Sequence, residues 1–182
     1  MANRHRGAVG APAPGLLPVD LSRCIGRKTL VRLTLEELDR LRDLRPDGAF
    51  GPASGPFSPA FLFTLLTYCY ATGALASVDI ELARRTDPMV RYLCGGAVPD
   101  IDTIRLFRRR HGEDLGQLLA AVLRRVWALR FDEEDAGSGV GTDYFRDSLG
   151  RWGMARPDVD FDHEARDRLG RAIRADSMAL DS

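Results

Sequence analysis

Ten arginines fall between Arg84 and Arg130, at positions 84, 85, 91, 105, 108, 109, 110, 124, 125 and 130, against five carboxylates at 87, 100, 102, 113 and 114. A guanidinium is permanently charged and offers its N–H donors in a planar fork that fits phosphate oxygens and guanine edges. Cations gathered at this density therefore suit a polyanion such as duplex DNA. The candidate contacts are Arg84, Arg85, Arg91, Arg105, Arg108, Arg109, Arg110, Arg124 and Arg125, with His111 at the end of the densest run. The same residues also suit a solvated helix face, on which Arg108 to Arg110 would pair with Glu113 and Asp114 across a turn.

Other chemistry has less footing. His5, His111 and His163 stand in polar sequence with no serine or cysteine nucleophile motif beside them. The acids Asp100/Asp102, Glu133/Glu134 and Asp158/Asp160/Asp162 could hold a divalent cation only if a scaffold aimed them together, and the first pair reads as helix capping. Gly137 to Gly141 lacks the preceding strand and the Lys-Ser/Thr ending of a phosphate-binding loop. No catalytic residue, metal or cofactor is assigned.

The elements that would carry the arginines are helical. Ser58-Pro59 is an N-cap followed by proline at the first helical position, opening a helix to about Thr72 that is apolar nearly all round and stops at Gly73. Ser77 opens a short helix to Arg85, Asp87-Pro88 opens another that ends at Gly95-Gly96, and Pro99-Asp100 opens a third with Ile101, Ile104 and Phe107 inward. A break is expected at Gly112. Leu115, Leu118, Leu119, Val122, Leu123, Val126 and Leu129 then follow helical spacing to about Arg130. Tyr68, Tyr70, Tyr92, Phe107 and Trp127 fall at positions expected to face the core. Three short helices between Ser77 and His111 have the size of a helix-turn-helix unit, whose last helix would enter a DNA major groove.

No strand pattern competes, so the expected fold class is all-α: a compact helical bundle containing a helix-turn-helix-like unit, with flexible N- and C-terminal segments. Residues 1–56 read as a Gly/Ala/Pro/Arg-rich tail followed by a lead-in helix. In that stretch Leu30 to Leu33 is expected to be extended, and Thr34 to Glu37 to form a capping box. Residues 57–131 form the helical domain, and 132–182, opening on the acidic block Asp132 to Asp135, are expected to be an acidic and polar tail of low order. Phe161 to Ala175 is the one stretch there with the makings of a polar helix, and Trp152 the lone large anchor.

Composition bounds these readings. The chain of 182 residues carries 26 basic and 26 acidic residues, so its net charge points to no partner, and 45% apolar content fits a globular chain. All basic residues but Lys28 are arginine, a bias that suits phosphate recognition and that GC-rich coding also produces. Cys24, Cys69 and Cys94 are too scattered for a disulfide framework or a zinc site. The N-terminus has no apolar signal region and the stretch Phe57 to Leu75 is interrupted by Thr, Ser and Gly residues, so a cytoplasmic chain with no membrane partner is expected.

Several blocks in order and spacing resemble the N-terminal (InsH-type) domain of insertion-sequence DDE transposases. They are Phe57-Ser58-Pro59, Tyr70-Ala71-Thr72-Gly73, Ser77-x-x-Ile80-Glu81, Tyr92-Leu93-Cys94-Gly95-Gly96, Pro99-Asp100-x-Asp102-Thr103-Ile104 and Phe107-Arg108-Arg109-Arg110-His111. The resemblance covers about residues 57–127. It implies an all-helical domain that recognises transposon terminal repeats in double-stranded DNA. In the family that domain precedes an RNase-H-like domain, whose Asp-Asp-Glu triad holds two Mg²⁺ ions. Residues 131–182 show no strand for such a domain, and Gly141-Thr142-Asp143 scrambles the family's Asp-Gly-Thr, so no strand-transfer activity is expected of this chain. Val78-Asp79 also departs from the arginine that relatives carry there.

The reading is a DNA-binding, non-catalytic transposase N-terminal domain protein, acting in transposon-end recognition as a split-transposase subunit, as a repressor, or persisting as a remnant. Its partners would be duplex DNA, a separately encoded catalytic transposase chain and, at paired ends, a second copy in a homodimer. The alternative is a helical protein–protein interaction module that no longer binds DNA and presents Leu115 to Leu129 to another chain.

Overall fold

The computed structural model describes residues 17–44, 57–97, 99–135 and 159–178, with side chains in the long helix described as far as Leu129. Trp152, Asp143 and the Gly137 to Gly141 stretch lie outside these residues. Seven helices are present and no strand among the described residues: α1 Ser22–Ile25, α2 Arg27–Leu44, α3 Pro59–Thr72, α4 Ser77–Thr86, α5 Pro88–Cys94, α6 Ile101–Asp135 and α7 Phe161–Met178. The fold is all-α.

Helix α3 is the centre. The Ser58 hydroxyl accepts the N–H of Phe61 at 3.2 Å, Pro59 fills the first turn, and Gly73 closes the helix in the left-handed region at φ 89°. Every residue from Leu62 to Ala71 is buried, because α2, α5 and α6 pack around it. Each large apolar side chain so enclosed contributes roughly 1.5–3 kcal/mol by leaving water, which explains a helix with no polar face. Among the described residues no single helix is long and apolar enough to cross a membrane. The pair α3 and α4 meets that test only jointly, across a bend of 87°.

Two local readings change in the structure. Helix α2 begins at Arg27, so Leu30 to Leu33 is helical and not extended, and Thr34 lies mid-helix where its hydroxyl donates to the Leu30 carbonyl at 2.9 Å. Leu30, Val31, Leu33 and Leu38 form a stripe buried in the common core, so the lead-in helix is part of the bundle. The break expected at Gly112 falls one residue earlier. Helix α6 runs through, with His111 alone off helical geometry at φ −122°, ψ 23°. Phe107 and Phe63 pack on the His111 ring at centroid distances of 4.6 and 5.7 Å and hold the kink.

The largest departure is at the C-terminal side. The polar helix read at Phe161 to Ala175 forms, as Phe161–Met178, but it belongs to no low-order tail: it docks on α6 with Ala165, Leu169 and Ala172 in the core. Phe161 meets Trp127 edge-on at 6.2 Å, and Gly116 of α6 lets Leu169 approach closely. Arg168, 2% exposed, fixes the helix. Its guanidinium donates to the carbonyls of Pro18, Val19, Tyr70 and Ala71 at 2.8, 3.1, 2.9 and 3.4 Å, and to Glu164 at 2.8 Å. Those carbonyls include orphan acceptors at the end of α3, so one side chain closes α3, anchors the N-terminal segment and attaches α7.

Candidate nucleic-acid interface

The three starts between Ser77 and Asp100 are capped locally. Asp79 accepts the N–H of Ala76 at 3.2 Å, Asp87 accepts those of Met89 and Val90 at 2.7 and 3.3 Å, and Asp100 accepts that of Thr103 at 2.7 Å. The bonds from Thr103 hold the Asp100 carboxyl below its ordinary range, outweighing slight desolvation. Tyr68, buried in α3, donates to Asp87 at 3.0 Å; burial first, and then that carboxylate, push its hydroxyl well up. Cys69 and Cys94 are buried thiols raised by burial, for Cys94 against the pull of Arg84, and neither is an activated nucleophile.

The candidate arginines divide into two sets. Arg84, Arg85, Arg91, Arg109 and Arg110 are exposed, and among the described residues no carboxylate pairs with any of them. Arg91 donates to the Arg85 carbonyl at 3.4 Å, so the three guanidinium-bearing positions of α4 and α5 sit around one turn. Arg84 lines a groove with Glu81, Pro99, Asp100, Ile101 and Asp102. Asp102 also lines a second groove, of about 580 Å³, that runs between α6 and α7 past Arg105, Arg109 and Ile173. The exposed arginines thus stand at two places, Arg84, Arg85 and Arg91 around the α4–α5 turn and Arg109 and Arg110 on α6, and the carboxylates Glu81, Asp100 and Asp102 line the grooves between them.

The second set turns inward, against the expectation that the arginines around position 108 share an exposed face. Arg108 is 5% exposed; its guanidinium donates to Ser77 Oγ at 2.9 Å and lies 3.0 Å from Asp176 of α7. It also lies over the Tyr70 ring at 5.7 Å. Arg105 is half-buried, 3.4 Å from the Asp176 carboxylate, and donates to the Asp176 carbonyl at 3.2 Å. Arg125 pairs with Glu36 and Glu37 of α2 at 3.4 and 3.6 Å. Arg124, exposed, reaches Asp162 at 3.7 Å and stacks over Phe161. His111 is enclosed by Phe63 and Phe107, and its Nδ1 is buried without a hydrogen-bond partner among the described residues. Arg105, Arg108, Arg125 and His111 therefore hold helices together in this structure.

Two further expectations are corrected. The stripe Leu115 to Leu129 is not presented to another chain: Leu115, Leu118, Leu119, Val122, Leu123 and Val126 are wholly inside, covered by the neighbouring helices. Tyr92, expected in the core, is 77% exposed on α5, whereas Tyr68, Tyr70, Phe107 and Trp127 are buried as read.

Asp176 and Arg168 were missed. Ser77 opens α4, but its hydroxyl and N–H both donate to Asp176 at 2.7 Å instead of capping the helix, a bond to a residue far along the chain that no local pattern announces. Burial alone would raise the Asp176 carboxyl; the two bonds from Ser77 and the charges of Arg108 and Arg105 outweigh it and hold it below its ordinary range.

A helical bundle with exposed arginines on two short capped helices, α4 and α5, and on the first part of the long, kinked α6 defines the structural class. Residues 24–110, just under half of the chain, match the family model described as Transposase domain (DUF772), which is consistent with an N-terminal transposase domain of insertion-sequence elements. The match takes in α2, which the resemblance read from residue 57 left out, and ends at Arg110, beside the kink at His111. Most of α6 and all of α7 lie beyond it. Neither the curated proteins nor the solved structures include a match to the chain.

Proposed function

We infer that this transposase-related chain is a non-catalytic DNA-binding protein that engages duplex DNA through the α4–α5 turn and the outer side of α6. The observation that carries the reading is the set of five exposed arginines, Arg84, Arg85, Arg91, Arg109 and Arg110, without an internal carboxylate partner among the described residues. Exposed cations at the α4–α5 turn and on α6, on a chain with a transposase-domain match, suit phosphate contacts. Helices α4, α5 and the start of α6 serve as the helix-turn-helix-like unit in this reading. The contact residues differ from those first expected, because Arg105 and Arg108 are engaged by Asp176. Transposon terminal repeats are the natural target for such a domain, with the catalytic chemistry supplied by another polypeptide.

Fluorescence anisotropy with a labelled duplex across a salt series tests the reading. Each phosphate neutralised makes log K fall by about 0.9 per unit of log salt. A slope of about −3.6 to −4.5 is expected from four or five arginines on phosphates. Absence of binding at low salt, or a slope near zero, would overturn it.

A further inference from the structure

The carboxylate of Asp176 occupies a site built for an anion. It meets the first N–H of α4 and the Ser77 hydroxyl, both at 2.7 Å, the buried Arg108 at 3.0 Å and Arg105 at 3.4 Å. The N-terminus of this ten-residue helix adds its dipole to the two guanidinium charges. A carboxylate fills the pocket only in part. Its two oxygens are used by Ser77 and the arginines; Arg105 reaches it through Nε at 3.4 Å without forming a hydrogen bond, and the buried Nε of Arg108 has no hydrogen-bond partner among the described residues. A phosphate group has the same charge sign and more acceptor oxygens, and matches two guanidinium forks better.

The covering segment is also poised to leave. Helix α7 is welded to the bundle by Arg168, Leu169 and Ala172, but beyond Ala172 the only buried residue of the described part is Asp176. Ile173, Arg174, Ser177 and Met178 are exposed. A helix end of this kind opens far more readily than the helix as a whole. Opening would enlarge the groove between α6 and α7 and uncover Arg105 and Arg108 beside Arg109, which is already on the basic surface.

We propose that Ser77, Arg105 and Arg108 form a phosphate-binding site for the DNA backbone, closed in the free protein by Asp176 as an internal stand-in for the phosphate. The inference deepens the DNA-binding reading and rests on it for the source of the phosphate. Occupation by DNA would require the last turn of α7 to detach, so the apparent affinity of the free protein at this site is its intrinsic affinity multiplied by the fraction of time the site is open.

Duplex binding by the full chain carrying Asp176→Ala is the test, with circular dichroism to verify helicity. The expected result is binding about tenfold tighter than the unsubstituted chain, with a salt slope steeper by about 0.9–1.8 for one or two additional phosphates. Adding Arg108→Met should reverse both effects. Should Asp176→Ala lose helicity, Asp176→Asn keeps an acceptor for Ser77 while removing the charge, and should tighten binding in the same direction. Unchanged or weaker binding by a folded variant overturns the proposal while leaving DNA binding by the remaining arginines intact. A separate arm uses inorganic phosphate: the Ser77 amide resonance should shift on titration in the Asp176 variant and not in the unsubstituted chain. That shift upholds the anion site even where no duplex binds, and its absence overturns it.

Discussion

Arg168 and Asp176 stand two turns apart on α7, and each is buried for a different reason. Arg168 donates to four backbone carbonyls, so replacing it leaves orphan acceptors in the interior of the bundle. Arg168→Met, close in length but without donors, should lower unfolding free energy by about 2–4 kcal/mol, read as a drop in the urea midpoint at unchanged slope. A loss below about 1 kcal/mol would mean that water replaces the guanidinium easily. Asp176 instead contributes through charge. Its carboxyl is held below the ordinary range in the folded state, so its stabilisation is complete above the unfolded carboxylate value of about 3.9 and is lost as pH falls through the folded value. Urea midpoints for the unsubstituted chain and Asp176→Asn should therefore differ at pH 7 and converge toward pH 3. A constant gap across that range would assign the effect to shape and not to charge.

At the scale of elements, what the sequence made legible was local. Ser58-Pro59, Asp87-Pro88, Pro99-Asp100, Gly73 and Gly95 are read correctly because a cap or a positive φ depends on residues one turn away. Thr34 to Glu37 misleads for the same reason: the capping signature is present, but burial of Leu30 and Val31 draws the helix back to Arg27. What could not be read is where a charge finds its partner. Arg108, Arg105 and Arg168 look like any solvated arginines until α7 is folded onto α6 and α3. Tyr92 looks like core until α5 ends after seven residues and leaves that side to solvent. The kink in α6 offers a test at this scale. His111 alone departs from helical geometry, so Gly112 has helical backbone, and a Cβ added there meets no atom within 4 Å. Gly112→Ala should stabilise the chain by about 0.5–1 kcal/mol through backbone entropy and helix propensity, seen as a raised melting temperature. Destabilisation would show that the bend at His111 needs the freedom of the neighbouring glycine.

Over the whole molecule the arginines perform two jobs. Arg124 and Arg125 connect α6 to Asp162 of α7 and to Glu36 and Glu37 of α2, so they neutralise carboxylates of the protein itself. Arg84, Arg85 and Arg91 at the α4–α5 turn meet no such carboxylate among the described residues, and their charge is available to an outside anion. Net charge of zero for the chain conceals this division, because the balance is struck over all 182 residues. The two sets must therefore respond oppositely to substitution. Replacing Arg84, Arg85 and Arg91 together by Ala should weaken duplex binding and flatten the salt slope by up to about 2.7, three phosphates at 0.9 each. Melting temperature should barely move, since exposed arginines without partners contribute little to folding. Replacing Arg124 and Arg125 by Ala should leave the slope unchanged and lower stability by about 1 kcal/mol or less, as partly exposed ion pairs do. Measured together by anisotropy and thermal melting, the two variants distinguish a directed basic surface from a diffuse one. Equal loss of slope in both would mean that DNA is held by overall positive potential and that the internal pairs on α2 and α7 yield to it.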